Sequence, residues 1–205
     1  MHKKMVKRPI LTLMCGIPRV GKSTWLKENR GNAVIVSPDD IRREFFGHQF
    51  HAPANKFVFG IAEGMVTLIL KQGHDVIIDA THITEKLRSA WRTIAIKCGA
   101  DARVVWIYAY KKMNLNFLAC LERNKKSPKE ERLPIDALAR MAMYFEAPTP
   151  KMEGGWFKLE TYRNSPRRKV SIKQRIIVDK DDDILEVLIK WRAKWDAAGN
   201  NEDDS

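Results

Sequence analysis

Cysteine, long apolar runs and acidic residues are all in short supply in this chain. Its 205 residues include three cysteines, Cys15, Cys98 and Cys120. None has the spacing of a metal ligand set, so a disulfide scaffold and a cysteine metal centre are excluded and the three read as buried, reduced thiols. The apolar segment that follows the basic start "MHKKMVKRP" is only a strand's length and carries no cleavage-site pattern. A signal peptide and a membrane span are therefore not expected, and the chain reads as intracellular and cytoplasmic. No internal repeat or low-complexity linker divides it, which predicts a single domain over 1–205. Against 37 Lys and Arg stand only 25 Asp and Glu, a net charge of +12. The excess gathers in "RNKKSPKEER" and "RNSPRRKVSIKQR". Clustering of this kind favours a polyanionic partner over a surface that is merely basic for solubility.

What the chain does have is alternation. Short β-rich runs, "ILTLMC", "AVIVS", "DVIIDA", "RVVWIYA" and then "FKLETYR" or "RIIVD", are separated by segments with helical periodicity. The helices are predicted near 23–30, 39–46, 55–72, 84–98, 114–126, 135–145 and 182–196. Such an order predicts an α/β fold, with a central, mostly parallel sheet and helices on both faces. "NKKSPKEERL", too charged to bury and broken by Pro128, reads as a mobile surface loop, with a new helix starting after Pro134.

The first strand runs into Gly16-Ile-Pro-Arg-Val-Gly21-Lys22-Ser23-Thr24, which fits G-x-x-x-x-G-K-[ST] between a strand and a helix. That context makes it a P-loop. Backbone N–H groups of such a loop converge on phosphate oxygens, and the helix behind it presents the positive end of its dipole. Lys22 would reach the β- and γ-phosphates of ATP, Ser23 would offer its hydroxyl to Mg²⁺, and Arg19 would add a cationic contact to the triphosphate. After the second strand, "SPDDIRREF" puts Asp39 and Asp40 at a helix start on the C-terminal edge of the sheet, where ligands of such folds bind. One of the two is then a candidate base for a phosphoryl acceptor; the plainer reading is that both cap the helix. Arg42, three residues beyond Asp39, shares its helical face and would hold either that carboxylate or an acceptor phosphate. The third strand ends in "VIIDATHITEKLR", whose Asp79 is placed to hold metal-bound water or brace the P-loop. Thr81, His82 and Arg88 follow at the same edge as candidate acceptor contacts.

Two features remain outside this scheme. Phe45, Phe46 and Phe50, with His48 and His51, either stack unpaired bases or pack a helix on the sheet, and two histidines with no third ligand do not make a metal site. The C-terminal basic segment and helix, about 163–198, would track a phosphate backbone and pack a Leu/Ile/Trp stripe on the domain.

Together "GIPRVGKST", "SPDDIR", "IDATHIT", "LERNKKSPKEERLPIDALARM" and "PTPKMEGGW", in this order and spacing over residues 10–160, resemble the polynucleotide 5′-hydroxyl kinases and their P-loop relatives. The resemblance implies a P-loop NTPase/kinase fold with a basic lid, about 124–133, and transfer of the ATP γ-phosphate, with Mg²⁺, to a nucleic-acid 5′-hydroxyl. It implies Asp39 as the general base and Asp79 as the strand-end acid. A lid arginine, Arg132 in preference to Arg123, would neutralise the transferring phosphoryl group. Arg19-Val20 stand where relatives often carry Gly-Ser, and nothing in the chain corresponds to the phosphatase domain of some polynucleotide kinases. Three rival readings are a kinase of hydroxymethylated bases in DNA, a small-molecule or nucleoside kinase, and a nucleic-acid-binding NTPase with water as its acceptor. Against the last stands the acid–arginine pair of "DDIR".

Overall fold

The computed structural model describes residues 7–47, 52–149 and 157–164. Five strands lie in the order β2-β3-β1-β4-β5: β1 Ile10–Cys15, β2 Val34–Val36, β3 Val76–Ile78, β4 Asp101–Tyr108 and β5 Phe157–Arg163. Between them lie α1 Lys22–Asn29, α2 Pro38–Phe46, α3 Asn55–Lys71, α4 Glu85–Lys97, α5 Met113–Lys125 and α6 Ile135–Met143. The pairings β2-β3, β3-β1 and β1-β4 are parallel. Leu11, Leu13 and Met14 of β1, Val76, Ile77 and Ile78 of β3, and Val104, Val105 and Ile107 of β4 are completely buried. Continuous apolar runs of this kind suit strands covered on both faces. Right-handed crossovers do the covering: β1 connects through α1 to β2 in one direction along the sheet, whereas α3 and α4 serve connections in the other, so they fall on opposite faces.

Register decides what meets at the sheet edge. Cys15 pairs with Trp106, Leu13 with Ile78, and Ile78 with Val36, so the loops after β1, β2 and β3 leave from one edge. That edge is the crevice side of a doubly wound sheet.

The chain falls into two compact units. Of the described residues, 7–16, 21–47, 52–107, 146–149 and 157–162 fall in one, and 17–20, 108–145 and 163–164 in the other. In the second, α5 and α6 are joined by a loop holding a short 3-10 turn, Lys129–Glu131. The Asn124 side chain closes that loop, donating to Leu133 O at 2.8 Å and accepting from Leu133 N at 3.0 Å. The segment read from its charge and Pro128 as a mobile surface loop carries an internal hydrogen-bonded frame. Asn116 holds the strand exit in the same way, its Oδ1 accepting from Ala109 N at 2.8 Å.

The last strand is formed by "FKLETYR"; "RIIVD" and the helix expected over 182–196 lie outside the described residues. None of the three cysteines forms a disulfide; Cys15 and Cys120 are buried, but Cys98 is only half-buried. Its place at the C-terminal cap of α4 lets it reach the surface, contrary to the expectation from its apolar context. Among the described residues no helix is long and apolar enough to cross a membrane.

Candidate active site at the P-loop edge

Three chain turns build the site. In the first, Gly16 and Gly21 take φ values of 153° and 115°, and Arg19 takes 64°, a left-handed conformation that glycine adopts more readily than arginine. Gly16 N–H donates to Thr81 O at 3.0 Å, tying the loop's entrance to the β3–α4 connection. α1 begins directly after Gly21 with no side-chain cap, and the Ser23 and Thr24 hydroxyls are exposed in its first turn. Uncapped N–H groups at a helix start are the donors that an anion takes up. Lys22 Nζ donates to Gly16 O at 3.1 Å, curled back over the loop where a phosphate would draw it.

The second turn carries Asp39. Ser37 is the N-cap of α2, its hydroxyl accepting from Asp40 N at 3.1 Å, with Pro38 in the first helical turn. The capping role that sequence offered to the two acids is thus filled by a serine, and both carboxylates are exposed. Arg42 pairs with Asp39 at 2.5 Å and donates to Asn55 Oδ1 at 2.9 Å, while Arg43 pairs with Asp40 at 3.0 Å. The two pairs differ in surroundings: the Arg42 side chain is 12% exposed and the Arg43 side chain 56%. Asp39 is therefore held by a fixed arginine and Asp40 by a solvated one. Asn55, which opens α3, was not evident as a site residue in the sequence; its place right after a proline-containing turn was the only signal.

The third turn carries Asp79, half-buried, whose N–H donates to Val36 O at 3.0 Å. Burial raises its carboxyl above the usual range, the charge of Lys22 lowers it, and the carboxylates of Asp39 and Asp40 raise it again. Asp79 thus feels Lys22, Asp39 and Asp40 at the sheet edge. Thr81 is half-buried and contributes its carbonyl to Gly16. His82 and Arg88, expected as acceptor contacts, are buried. His82 has φ 41°, its Nδ1 lies 2.8 Å from Met14 O, and its ring meets Trp91 edge-on at 6.3 Å. Arg88 Nη1 donates to His82 O and to Glu146 O, both at 3.0 Å. As folded, these two side chains support the β3–α4 loop from beneath and offer no surface to an acceptor. Glu146 lies far along the sequence, so no local pattern announced it.

Ser23 and Asp79 fit a magnesium ion carried in by a triphosphate, which keeps several waters and takes few protein oxygens. The carboxylates of Asp39 and Asp40, which raise that of Asp79, add negative charge that favours such a cation.

In the second unit the P-loop segment 17–20 is braced from α5. Arg123 Nη1 donates to Arg19 O at 3.0 Å and to Val20 O at 2.8 Å, and its Nη2 donates to Asn164 O at 3.0 Å. Arg19 turns its guanidinium to Glu131, bonding the backbone carbonyl and pairing with the carboxylate at 3.7 Å. A triphosphate contact would require Arg19 to leave that partner. Arg132 is exposed, its Nε donating to Ser127 O at 2.9 Å.

A parallel sheet in this order with a P-loop after its first strand defines a P-loop NTPase or kinase fold. Residues 11–148 match the family model described as AAA domain, and the chain belongs to that family. Among solved structures, it is similar to a chain of the Pnkp1/Rnl/Hen1 RNA repair complex, 22% identical over 89% of this chain and 55% of that one, TM-score 0.58. It is also similar to Chaetomium thermophilum Kti12 in complex with ADP-AlF3, 18% identical over 91% and 98%, TM-score 0.54. A third is a chain of the PezAT toxin–antitoxin system of Streptococcus pneumoniae, 20% identical over 91% and 85%, TM-score 0.53. The matched parts amount to 38% and 55% of the chains in two Pnkp1/Rnl/Hen1 structures. No curated protein matches the chain.

Proposed function

We propose that this chain is an ATP- and Mg²⁺-dependent kinase that transfers the γ-phosphate to a hydroxyl of a nucleic acid, foremost the 5′-hydroxyl of a polynucleotide. The observation that carries the reading is Asp39: exposed at the start of α2, paired with the fixed Arg42 at 2.5 Å, and within electrostatic reach of Asp79. An enzyme that hands the phosphoryl group only to water has no need of a second, arginine-held acid beside its strand-end acid. The net charge of +12 and the fold it shares with a chain of an RNA repair complex favour a polynucleotide over a small acceptor.

In the proposed reaction Asp39 accepts the proton of the attacking hydroxyl as its oxygen bonds to the γ-phosphorus and the bond to the β-phosphate bridging oxygen breaks in line. Lys22 and the α1 N-terminus hold the charge that moves onto the leaving diphosphate. Mg²⁺, held by Ser23 and through water by Asp79, would neutralise phosphate oxygens when bound. Arg42 keeps Asp39 aimed, Thr81 faces the acceptor side, and His82 and Arg88 act as positioning residues beneath it. Arg132 is the charge-neutralising arginine, because the guanidinium of Arg123 already serves three backbone carbonyls. We take the whole chain as a single kinase domain.

The test is γ-labelled ATP offered with 5′-hydroxyl DNA and RNA strands, end-blocked hydroxymethylated DNA, nucleosides, and no acceptor. Label on the 5′ ends, lost when the ends are blocked, is the expected result. Label on end-blocked hydroxymethylated DNA or on a nucleoside transfers the assignment to that acceptor, and free phosphate alone makes the protein an NTPase.

A further inference from the structure

Beside the acid of α2 lies a surface that the chemistry above leaves unused. Phe45 and Phe46, in the last turn of α2, are 59% and 41% exposed, and Phe57, in the first turn of α3, is 49% exposed. The ring of Phe57 meets both others edge-on, each at a centroid distance of 5.6 Å. The three therefore form one exposed cluster instead of the helix-to-sheet packing that is the ordinary fate of phenylalanine. It borders an open pocket of about 560 Å³ lined by Pro53, Lys56, Phe57, Gly60 and Ile61. Phe50, His48 and His51 lie outside the described residues.

Resting on the acceptor reading above, we propose that this surface is a base-stacking platform. It would take an unpaired nucleobase of the acceptor strand between the phenylalanine cluster and the pocket floor, with Lys56 on the strand's phosphate. Three observations carry the choice of occupant. The pocket couples an aromatic wall with a lysine that makes no ion pair among the described residues, the pairing of π-face and cation that single strands use. The floor holds Gly60 inside a 17-residue helix, where glycine is among the least favourable residues, yet a Cβ there would meet nothing within 4 Å. The missing side chain leaves the floor open to a flat ring. Finally, the platform is tied to the reacting end. Arg42 bridges Asp39 and Asn55, so α2 and the start of α3 are fixed to each other at the acid. Six or seven residues at 1.5 Å rise put Phe45 and Phe46 about 9–10 Å along α2 from Asp39. That spacing serves a base beyond the reacting nucleotide, so the platform selects a polymer over a mononucleotide.

The experiment measures binding apart from turnover. A short 3′-fluorescein, 5′-hydroxyl single strand is titrated by anisotropy without ATP, against the same strand made abasic at its second to fourth nucleotides. The proteins are wild type, Phe57→Ala and Gly60→Leu, the last filling the pocket from an open position that costs the fold nothing. Both variants should weaken the normal strand by about ten- to a hundredfold. ATP affinity should stay at its wild-type value. The abasic strand should bind wild type as weakly as the normal strand binds Phe57→Ala, with no further loss in the variants. Variants that bind and label the normal strand as wild type does overturn the platform and leave the kinase reading standing. So does an equal loss on both strands, or a change of solution mass by light scattering, which would mark the face as a contact between protein copies. A wild-type protein that binds no strand overturns the platform and the polynucleotide acceptor together.

Discussion

Lowering the pH should destabilise this protein through His82. The imidazole is buried, with Nδ1–H placed to donate to Met14 O at 2.8 Å, and its Nε2 has no hydrogen-bond partner among the described residues. Burial, with the nearby charges of Lys22 and Arg88, pushes its pKa from 6.5 down to about 4, against the raising effect of the Met14 bond. The folded state therefore keeps the ring neutral while the unfolded chain takes up a proton below pH 6.5. The resulting stability is fully present above pH 6.5 and is lost progressively as pH falls towards about 4. At about 1.4 kcal/mol per pH unit, that window is worth about 3 kcal/mol, or a fall of about 6–12 °C in Tm for a domain of this size. The comparison is His82→Asn, since asparagine accepts the positive φ of 41° and its amide can donate to Met14 O without titrating. Urea melts of both proteins at half-unit steps from pH 7 to pH 4 give the difference, because every carboxylate titrates alike in the two. The wild type should be the more stable at pH 7 and lose that lead by pH 4. Parallel stability curves would show that His82 is not held neutral and that the account of this loop is wrong.

Lys22→Ala should fold normally and lose at least about a hundredfold in kcat, since it removes the cation over the transferred charge; phosphoryl-transfer rates at saturating ATP check it. Asp39→Asn should keep ATP affinity and lose turnover, whereas Asp40→Asn should change kcat little. A larger loss in Asp40→Asn moves the base by one residue. Arg123→Ala should lose about 2–4 kcal/mol in urea melts, because three backbone carbonyls lose their donor. Arg132→Ala should melt as wild type does and lose kcat; the opposite pattern would exchange their roles. Acceptor KM should rise steeply between about 50 and 200 mM salt, while ATP KM changes much less, as a log–log plot of each would show.

The alternation of strands and helices and the three turns at the sheet edge were legible because each depends on local pattern: an apolar run, a turn with its glycines or acids, a helix start. Gly21 and Lys22 lie within a few residues of β1, Asp39 of β2 and Asp79 of β3, so finding the strands placed them at one edge. Other residues escaped because their surroundings come from distant chain. His82 and Arg88 were read from their position after β3 as facing an acceptor, yet Arg88 donates to the carbonyl of Glu146, 58 residues away. Arg19 stands beside a phosphate loop in sequence, but its partner Glu131 lies 112 residues on. Phe45 and Phe46 suit a buried helix face by composition, and only the packing of Phe57 from another helix shows them gathered on the surface. A short sequence window carries the backbone's path and says little about which side of it a long side chain will occupy.

The two acids after β2 show how such ambiguity resolves physically. Adjacent aspartates at a helix start serve capping and catalysis equally well on paper, since both roles use a carboxylate in the first turn. Ser37 takes the cap, which frees both carboxylates for other partners. Helical spacing then gives each an arginine three residues on, so spacing alone still does not choose between them. Tertiary structure separates their surroundings: Asn55 from α3 captures the second arm of Arg42 and fixes the guanidinium against Asp39, while Arg43 remains in solvent beside Asp40, which is why Asp39 is the proposed base. A base must be aimed as well as ionised. A carboxylate aimed by a side chain anchored at both ends meets that requirement, and a pair loose in water, worth little in energy, does not.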